Sequence, residues 1–151
     1  MDVEILGKVC SFFGHRELFS KTDDIAQQLK TIITDLVEKG VDTFYVGNHG
    51  DFDRISSRVA CDLKTLYPQI KVVLILSYAN ELQHIKNPSD DFYLPPEIES
   101  APKRACIVRK NQWVVEHSDF IVAYVKYPFG GTAKAIEYAR KKNKKVIEVK
   151  V

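Results

Sequence analysis

Long apolar runs are absent: no stretch of the 151 residues is long enough and apolar enough to span a bilayer. The opening Met1-Asp2-Val3-Glu4 is acidic where a secretory leader would be basic, and no long apolar segment follows it. The chain therefore reads as cytoplasmic, with no membrane partner. Cysteine is sparse. Cys10, Cys61 and Cys106 lie far apart and make no Cys-x-x-Cys pair, an odd, scattered set that fits reduced thiols and excludes a disulfide frame. The four histidines, His15, His49, His84 and His117, have no i, i+4 spacing and no neighbouring cysteine, so no structural zinc is expected. An excess of charge of one sign is also missing. A net charge of +2 gives no overall reason to expect nucleic acid as partner.

What is present is a globular composition, 45% apolar and 28% charged, at a length that suits one domain over residues 1–151. Strand-like and helix-like segments alternate. Residues 9–13 read as a short buried strand ending at Gly14-His15-Arg16. Residues 22–39 carry apolar side chains at Ile25, Leu29, Ile32, Ile33, Leu36 and Val37, one face of a helix that Gly40 ends. Residues 43–46 are a second strand, followed by a helix marked by Ile55, Val59, Leu63 and Leu66 and closed by Pro68. The segment 71–76, apolar without a break after Lys71, fits a strand covered on both faces. Residues 80–102 hold Pro88, Pro95, Pro96 and Pro102 and read as a long irregular loop, either a lid or an insertion. A helix near 109–117, a strand at 120–125, a helix from Gly130-Gly131-Thr132 through Lys141 and a strand at 145–149 complete the pattern. Repeated β-α-β units predict a Rossmann-like three-layer α/β/α sandwich with a mostly parallel sheet.

In such a sheet ligands sit beyond the carboxyl ends of the strands, and three loops there are unusual. Tyr127-Pro128-Phe129-Gly130-Gly131-Thr132 joins a strand to a helix. Its glycines would let the backbone approach a ligand, and the free amides of the helix start favour an anion such as phosphate. Thr132 adds a hydroxyl donor or simply caps the helix, and a plain tight turn explains the loop equally well. Gly47-Asn48-His49-Gly50-Asp51-Phe52-Asp53 also opens a helix. Asp51 and Asp53 could accept from ribose hydroxyls or serve as first-turn acids placed for the dipole. Phe52 reads as a packing residue. With no third ligand beside the two carboxylates, no metal is expected. Gly14-His15-Arg16 supplies an arginine fork suited to phosphate, or a surface arginine in a turn. Arg109 and Asn111 fall near a helix start that should dock at the same rim, and Trp113 reads as core. The basic run at 140–145 sits at a helix C-terminus, where cations are favoured without any nucleic acid.

These motifs occur in one order: Phe13-Gly14-His15-Arg16, Tyr45-Val46-Gly47-Asn48-His49-Gly50-Asp51-Phe52-Asp53, Pro102-Lys103-Arg104, Arg109-Lys110-Asn111-Gln112-Trp113, Ser118-Asp119 and Gly130-Gly131-Thr132. The chain thereby resembles, over nearly its whole length, the SLOG superfamily, the Rossmann-like group named after Smf/DprA and Lonely guy proteins. The likeness is to its single-domain bacterial branch near YpsA. The resemblance implies a nucleotide-type pocket at the glycine loops and is compatible with a homodimer. Lonely guy enzymes hydrolyse the N-glycosidic bond of nucleoside monophosphates and carry a glutamate three residues after the motif's threonine. Here the threonine match is Thr132 and the glutamate position holds Ala135, with Glu137 about 200° further round the helix. Arg109 matches the arginine part of that motif.

The leading expectation is therefore binding or sensing of a nucleotide-derived, phosphate-bearing small molecule without turnover and without a cofactor. The amides of Gly130, Gly131 and Thr132, with Arg16 and Arg109, would hold phosphate, and Asp51 or Asp53 ribose. The alternative is a nucleotide N-glycosidase drawing a carboxylate from Asp51, Asp53 or Glu137. Nucleic-acid binding, by analogy with DNA-processing protein A, stands third.

Overall fold

The computed structural model describes residues 8–18 and 22–151. The acidic residues at the start of the chain lie outside them. Six strands form one sheet: β1 (Lys8–Phe13), β2 (Val41–Val46), β3 (Lys71–Ile75), β4 (Asp91–Tyr93), β5 (Phe120–Ala123) and β6 (Lys145–Glu148). Their order is β4-β3-β2-β1-β5-β6, and every neighbouring pair runs parallel. Among the described residues the α-helices that connect them are α1 (Thr22–Glu38), α2 (Asp51–Leu63), α3 (Pro96–Glu99), α4 (Cys106–Glu116) and α5 (Gly131–Lys141). This is the Rossmann-like α/β architecture the alternation predicts. Among the described residues no helix is long and apolar enough to cross a membrane.

Two cores lie on opposite faces of the sheet. Cys10, Phe12, Phe44, Val72, Leu74 and Val122 pack with the inner faces of α1 and α2. Phe13, Ile75, Ile121 and Ala123 pack with Trp113 to Val115 of α4 and Ala135, Ile136 and Ala139 of α5. In β3 and β5 alternate residues serve alternate cores, so these two strands read as nearly continuous apolar runs. Each strand-to-strand crossover must return right-handed. The chain steps from β1 to β2 to β3 with α1 and α2 on one face, then passes back through α4 to β5 on the other side of β1. The strand order therefore reverses at β1 and β5, and the loops leaving those two strands part and open a crevice between them.

The segment between β3 and α4 is more structured than its prolines suggest. Residues Ala79–His84 make a 3₁₀ turn, β4 adds a short edge strand on β3, and α3 places Ile98 in the α4–α5 core. The stretch reads as loop in the sequence because its elements are three to six residues long, too short to show a period.

Candidate functional site

A cleft of about 340 Å³ opens at the carboxyl ends of β1, β2 and β5, where the strand order reverses. Its rim is built from the three glycine loops. Gly14, His15 and Arg16 come from the end of β1, Gly47 from β2, and Gly130, Gly131 and Thr132 from the start of α5. Asp53 and Asn111 complete the expected residues that line it. Asn48, Gly50, Asp51, Arg109 and Glu137 do not line it, and the structure gives most of them other work.

Gly50 and Gly130 adopt nearly the same conformation at the starts of their helices, with φ of 99° and 95°. Their surroundings differ. A Cβ on Gly50 would fall 2.4 Å from Cα of Arg16. The first amides of α2 are occupied: Asp51 donates to the Arg16 carbonyl at 2.7 Å and Phe52 to the His15 carbonyl at 3.4 Å. The β1 and β2 loops are thus knitted to each other. At Gly130 and Gly131 an added Cβ would meet nothing within 4 Å. The amides of Gly131, Thr132 and Ala133 find no acceptor among the described residues, and the first helical amide bond of α5 is Lys134 to Gly130. The Thr132 hydroxyl does not cap its helix. It donates to the Gly14 carbonyl at 2.9 Å and ties α5 to the β1 loop.

The two acids of α2 have separate fates, since residues two apart point about 200° apart around a helix. Asp51 accepts from the Leu18 amide at 3.1 Å and from Arg54 at 3.1 Å, and these bonds, the Leu18 amide foremost, hold its carboxyl below the usual range. It anchors a loop. Asp53 faces the cleft. One oxygen, Oδ2, accepts from the His49 amide at 2.8 Å. Burial pushes this carboxyl up from the usual range, against the pull of the Lys110 ammonium and the His49 amide. Gly47 must lack a side chain because a Cβ there would lie 2.5 Å from Oδ2 of Asp53.

Sequence reasoning missed Lys110 and Glu81. Arg109 is exposed, whereas Lys110, one residue and about 100° further round α4, is buried on the cleft wall. The wall of α4 is Ile107, Lys110, Asn111 and Val114, at positions i, i+3, i+4 and i+7. That spacing was the available signal: a lysine lying inside an apolar helical stripe. Glu81 carries no such signal because it sits in the 3₁₀ turn. Its side chain is 2% exposed, accepts from the Ser77 amide at 2.6 Å and stands 2.8 Å from Nε2 of His49. Burial acts to raise the Glu81 carboxyl, but His49 and the Ser77 amide outweigh it and hold it below its usual value. Three more bonds fasten the same segment to the β2 loop. Asn48 donates to the His84 carbonyl and accepts from the Lys86 amide, and Asn87 donates to the Gly47 carbonyl. Residues 77–87 are a buttress for the cleft floor.

His15 uses Nε2 to accept from the Lys126 amide at 2.8 Å, which requires the neutral ring. Burial first, and the Lys126 charge second, lower its pKa from 6.5. The folded state then binds fewer protons than the unfolded chain just below 6.5, so this contribution is complete above pH 6.5 and is lost as the pH falls toward the folded value. Urea unfolding at pH 7.5, 6.5 and 5.5 should show stability falling more steeply in the parent protein than in His15→Gln, whose amide oxygen reaches the Nε2 position and keeps the acceptor without the titration. Parallel curves would assign the acid sensitivity to other groups.

No family model matches the chain, and no curated protein matches it in sequence. Solved structures do match it in fold. DNA processing protein A from Streptococcus pneumoniae superposes with a TM-score of 0.63 at 15% identity, over 96% of this chain and 51% of that one. The present chain thus spans about half the length of that protein. The molybdenum cofactor carrier protein from Chlamydomonas reinhardtii superposes at 0.62 and 14% identity, over 94% and 76% of the two chains. DNA processing protein A from Helicobacter pylori, a single-stranded DNA binder, superposes at 0.57 and 17% identity, over 99% and 69%. The chain shares the Rossmann-like α/β fold of these structures.

Proposed function

We propose that this SLOG-type fold binds a nucleotide-derived small molecule in the cleft, with the phosphate seated on the first turn of α5. The observation that carries this reading is the open start of that helix. Three successive amides, of Gly131, Thr132 and Ala133, lack acceptors among the described residues, in a place where Gly130 and Gly131 leave room for a bulky group. Unmet amide donors at the positive end of a helix dipole favour an anion, and phosphate offers enough oxygens to take all three. Arg16, which lines the same cleft, adds a fork for a second oxygen. Phe129 is 69% exposed at the mouth and stacks on Tyr127 with ring centroids 5.6 Å apart. An aromatic pair in that position offers a face to a planar base.

The site does not resemble a hydrolase centre in its helix. Ala135 packs in the core and Glu137 is exposed away from the cleft, so α5 brings no carboxylate to a ligand. Asp53 is the carboxylate on the cleft wall, where it supplies an acceptor for a ligand N–H or O–H. Binding without turnover is the reading this arrangement favours.

Thermal unfolding across matched pairs of 5′-nucleotides and their parent nucleosides tests it. The nucleotides should raise the melting temperature well above their nucleosides, and incubated nucleotide should be recovered without free base. Equal shifts for both members of each pair would remove the phosphate from the reading, and released base would replace binding with hydrolysis.

A further inference from the structure

The wall of the cleft holds two groups that an anion seat on α5 leaves unused, Lys110 of α4 and Asp53 of α2. Lys110 is only 8% exposed, and among the described residues no carboxylate lies within 4.0 Å of its ammonium. Among the described residues the fully buried side-chain polar atoms without a hydrogen bond are the hydroxyls of Ser56, Ser57 and Ser77, since the buried His49 Nε2 and Glu81 carboxylate face each other at 2.8 Å. Lys110 is not among them, so its ammonium reaches the cleft. Asp53 lines the same cleft. With Oδ2 held by the His49 amide, its Oδ1 has no partner among the described residues and is likewise not sealed from the cleft.

A desolvated ammonium and a desolvated carboxylate gain most by closing on each other. These two stand apart although the charge of Lys110 is felt at Asp53. Both are fixed from behind: Lys110 by its place in the apolar stripe of α4, and Asp53 by the amide of His49, whose ring is in turn held by Glu81. The result is an ammonium that can only donate and a carboxylate oxygen that accepts when ionised, both lining one cleft and more than 4.0 Å apart.

We propose that Lys110 and Asp53 read the lactam edge of the ligand's base, a ring carbonyl next to a ring N–H. This inference rests on the cleft being a nucleotide site and names the class of base it takes. The carbonyl oxygen accepts from the Lys110 ammonium while the adjacent N–H donates to Oδ1 of Asp53. Hypoxanthine, guanine and uracil present that edge. Adenine and cytosine present its inverse, an amino group facing the ammonium and a ring nitrogen lone pair facing the carboxylate. Both contacts then fail together, and two buried charges are left without partners. A site built on hydrogen bonds of fixed polarity discriminates strongly against the inverse, by about 100-fold or more.

Calorimetric titration of the full chain with two matched pairs tests this: inosine 5′-monophosphate against adenosine 5′-monophosphate, and uridine 5′-monophosphate against cytidine 5′-monophosphate. The oxo member of each pair should bind about 100-fold more tightly. Lys110→Met, which keeps the length and apolar stem of the side chain, should reduce that ratio below about tenfold through loss of oxo-nucleotide affinity. Asp53→Asn can keep the His49 bond through its oxygen and turn an NH₂ donor to the cleft, so it should move the preference toward the amino bases. Equal binding within both pairs, or a parent preference unchanged in Lys110→Met, overturns the proposal. Ribose 5-phosphate and free inosine separate the two readings. Binding of ribose 5-phosphate with no oxo preference keeps the phosphate seat and rejects the lactam reader. An oxo preference among free nucleosides with no gain from phosphate does the reverse.

Discussion

Gly131→Asp should leave the protein folded and abolish the rise in melting temperature caused by a nucleotide. Saturation at ~100 times the dissociation constant stabilises a folded protein by about 2.7 kcal/mol. For a domain of this size that is a shift of roughly 5–10 °C. The backbone of Gly131 accepts a side chain, because its φ is not positive and a Cβ there meets nothing within 4 Å. The new carboxylate would sit at the first position of α5, where the helix dipole favours it by ~0.3–1 kcal/mol. The melting temperature without ligand should therefore hold or rise slightly. The same carboxylate occupies the open amides and repels phosphate. A variant that melts like the parent and still shows the full nucleotide shift would place the anion elsewhere in the cleft.

Gly14→Ala should do the opposite, damaging the fold first. Gly14 lines the same cleft, yet a Cβ there would lie 2.2 Å from the ring of Phe52 and 2.6 Å from its Cβ. Phe52 is fully buried and stacks on Tyr124 with centroids 6.0 Å apart. Swinging the ring aside cannot relieve the clash, since the Cβ of Phe52 is struck as well. Relief requires moving α2 away from β1, and that strains the bonds from Asp51 and Phe52 to the carbonyls of Arg16 and His15. Overpacking of this kind costs about 3 kcal/mol, a large share of the ~5–15 kcal/mol that holds a typical domain together. A melting temperature lower by roughly 10 °C is expected. A variant as stable as the parent would mean that α2 is not held against the β1 loop as described. The two glycines look alike in the sequence, each in a loop between a strand and a helix, and only their neighbours separate a binding surface from a packing contact.

The sequence carried the architecture well. The apolar run after Lys71, through Leu76, announces a strand covered on both faces, and β3 feeds both cores through Val72 and Leu74 on one side and Ile75 on the other. The spacing from Ile25 to Val37 predicts the buried face of α1, where Ile25, Leu29, Ile33, Leu36 and Val37 are buried. Phe52 and Trp113 are packed inside, as their apolar bulk suggests. The convergence of Gly14, Gly47, Gly130 and Gly131 on one cleft follows from the parallel sheet alone, since all parallel strands present their carboxyl ends to one edge.

What the sequence by itself determined is thus whatever local period and chain direction dictate: the order of strands and helices, the faces they bury, and the edge of the sheet where a ligand could sit. Only the tertiary structure decided which polar groups at that edge are free. Asp51 is consumed by Leu18 and Arg54, Thr132 by Gly14, and Asn48 by His84 and Lys86, partners from distant parts of the chain in every case but Arg54. Lys110 and Asp53 keep their polar atoms toward the cleft. The physical reason is that a side chain's hydrogen-bond partner is set by distance in space. Burial obliges each donor or acceptor to find whichever partner the fold brings near, and the groups left without one become the groups available to a ligand.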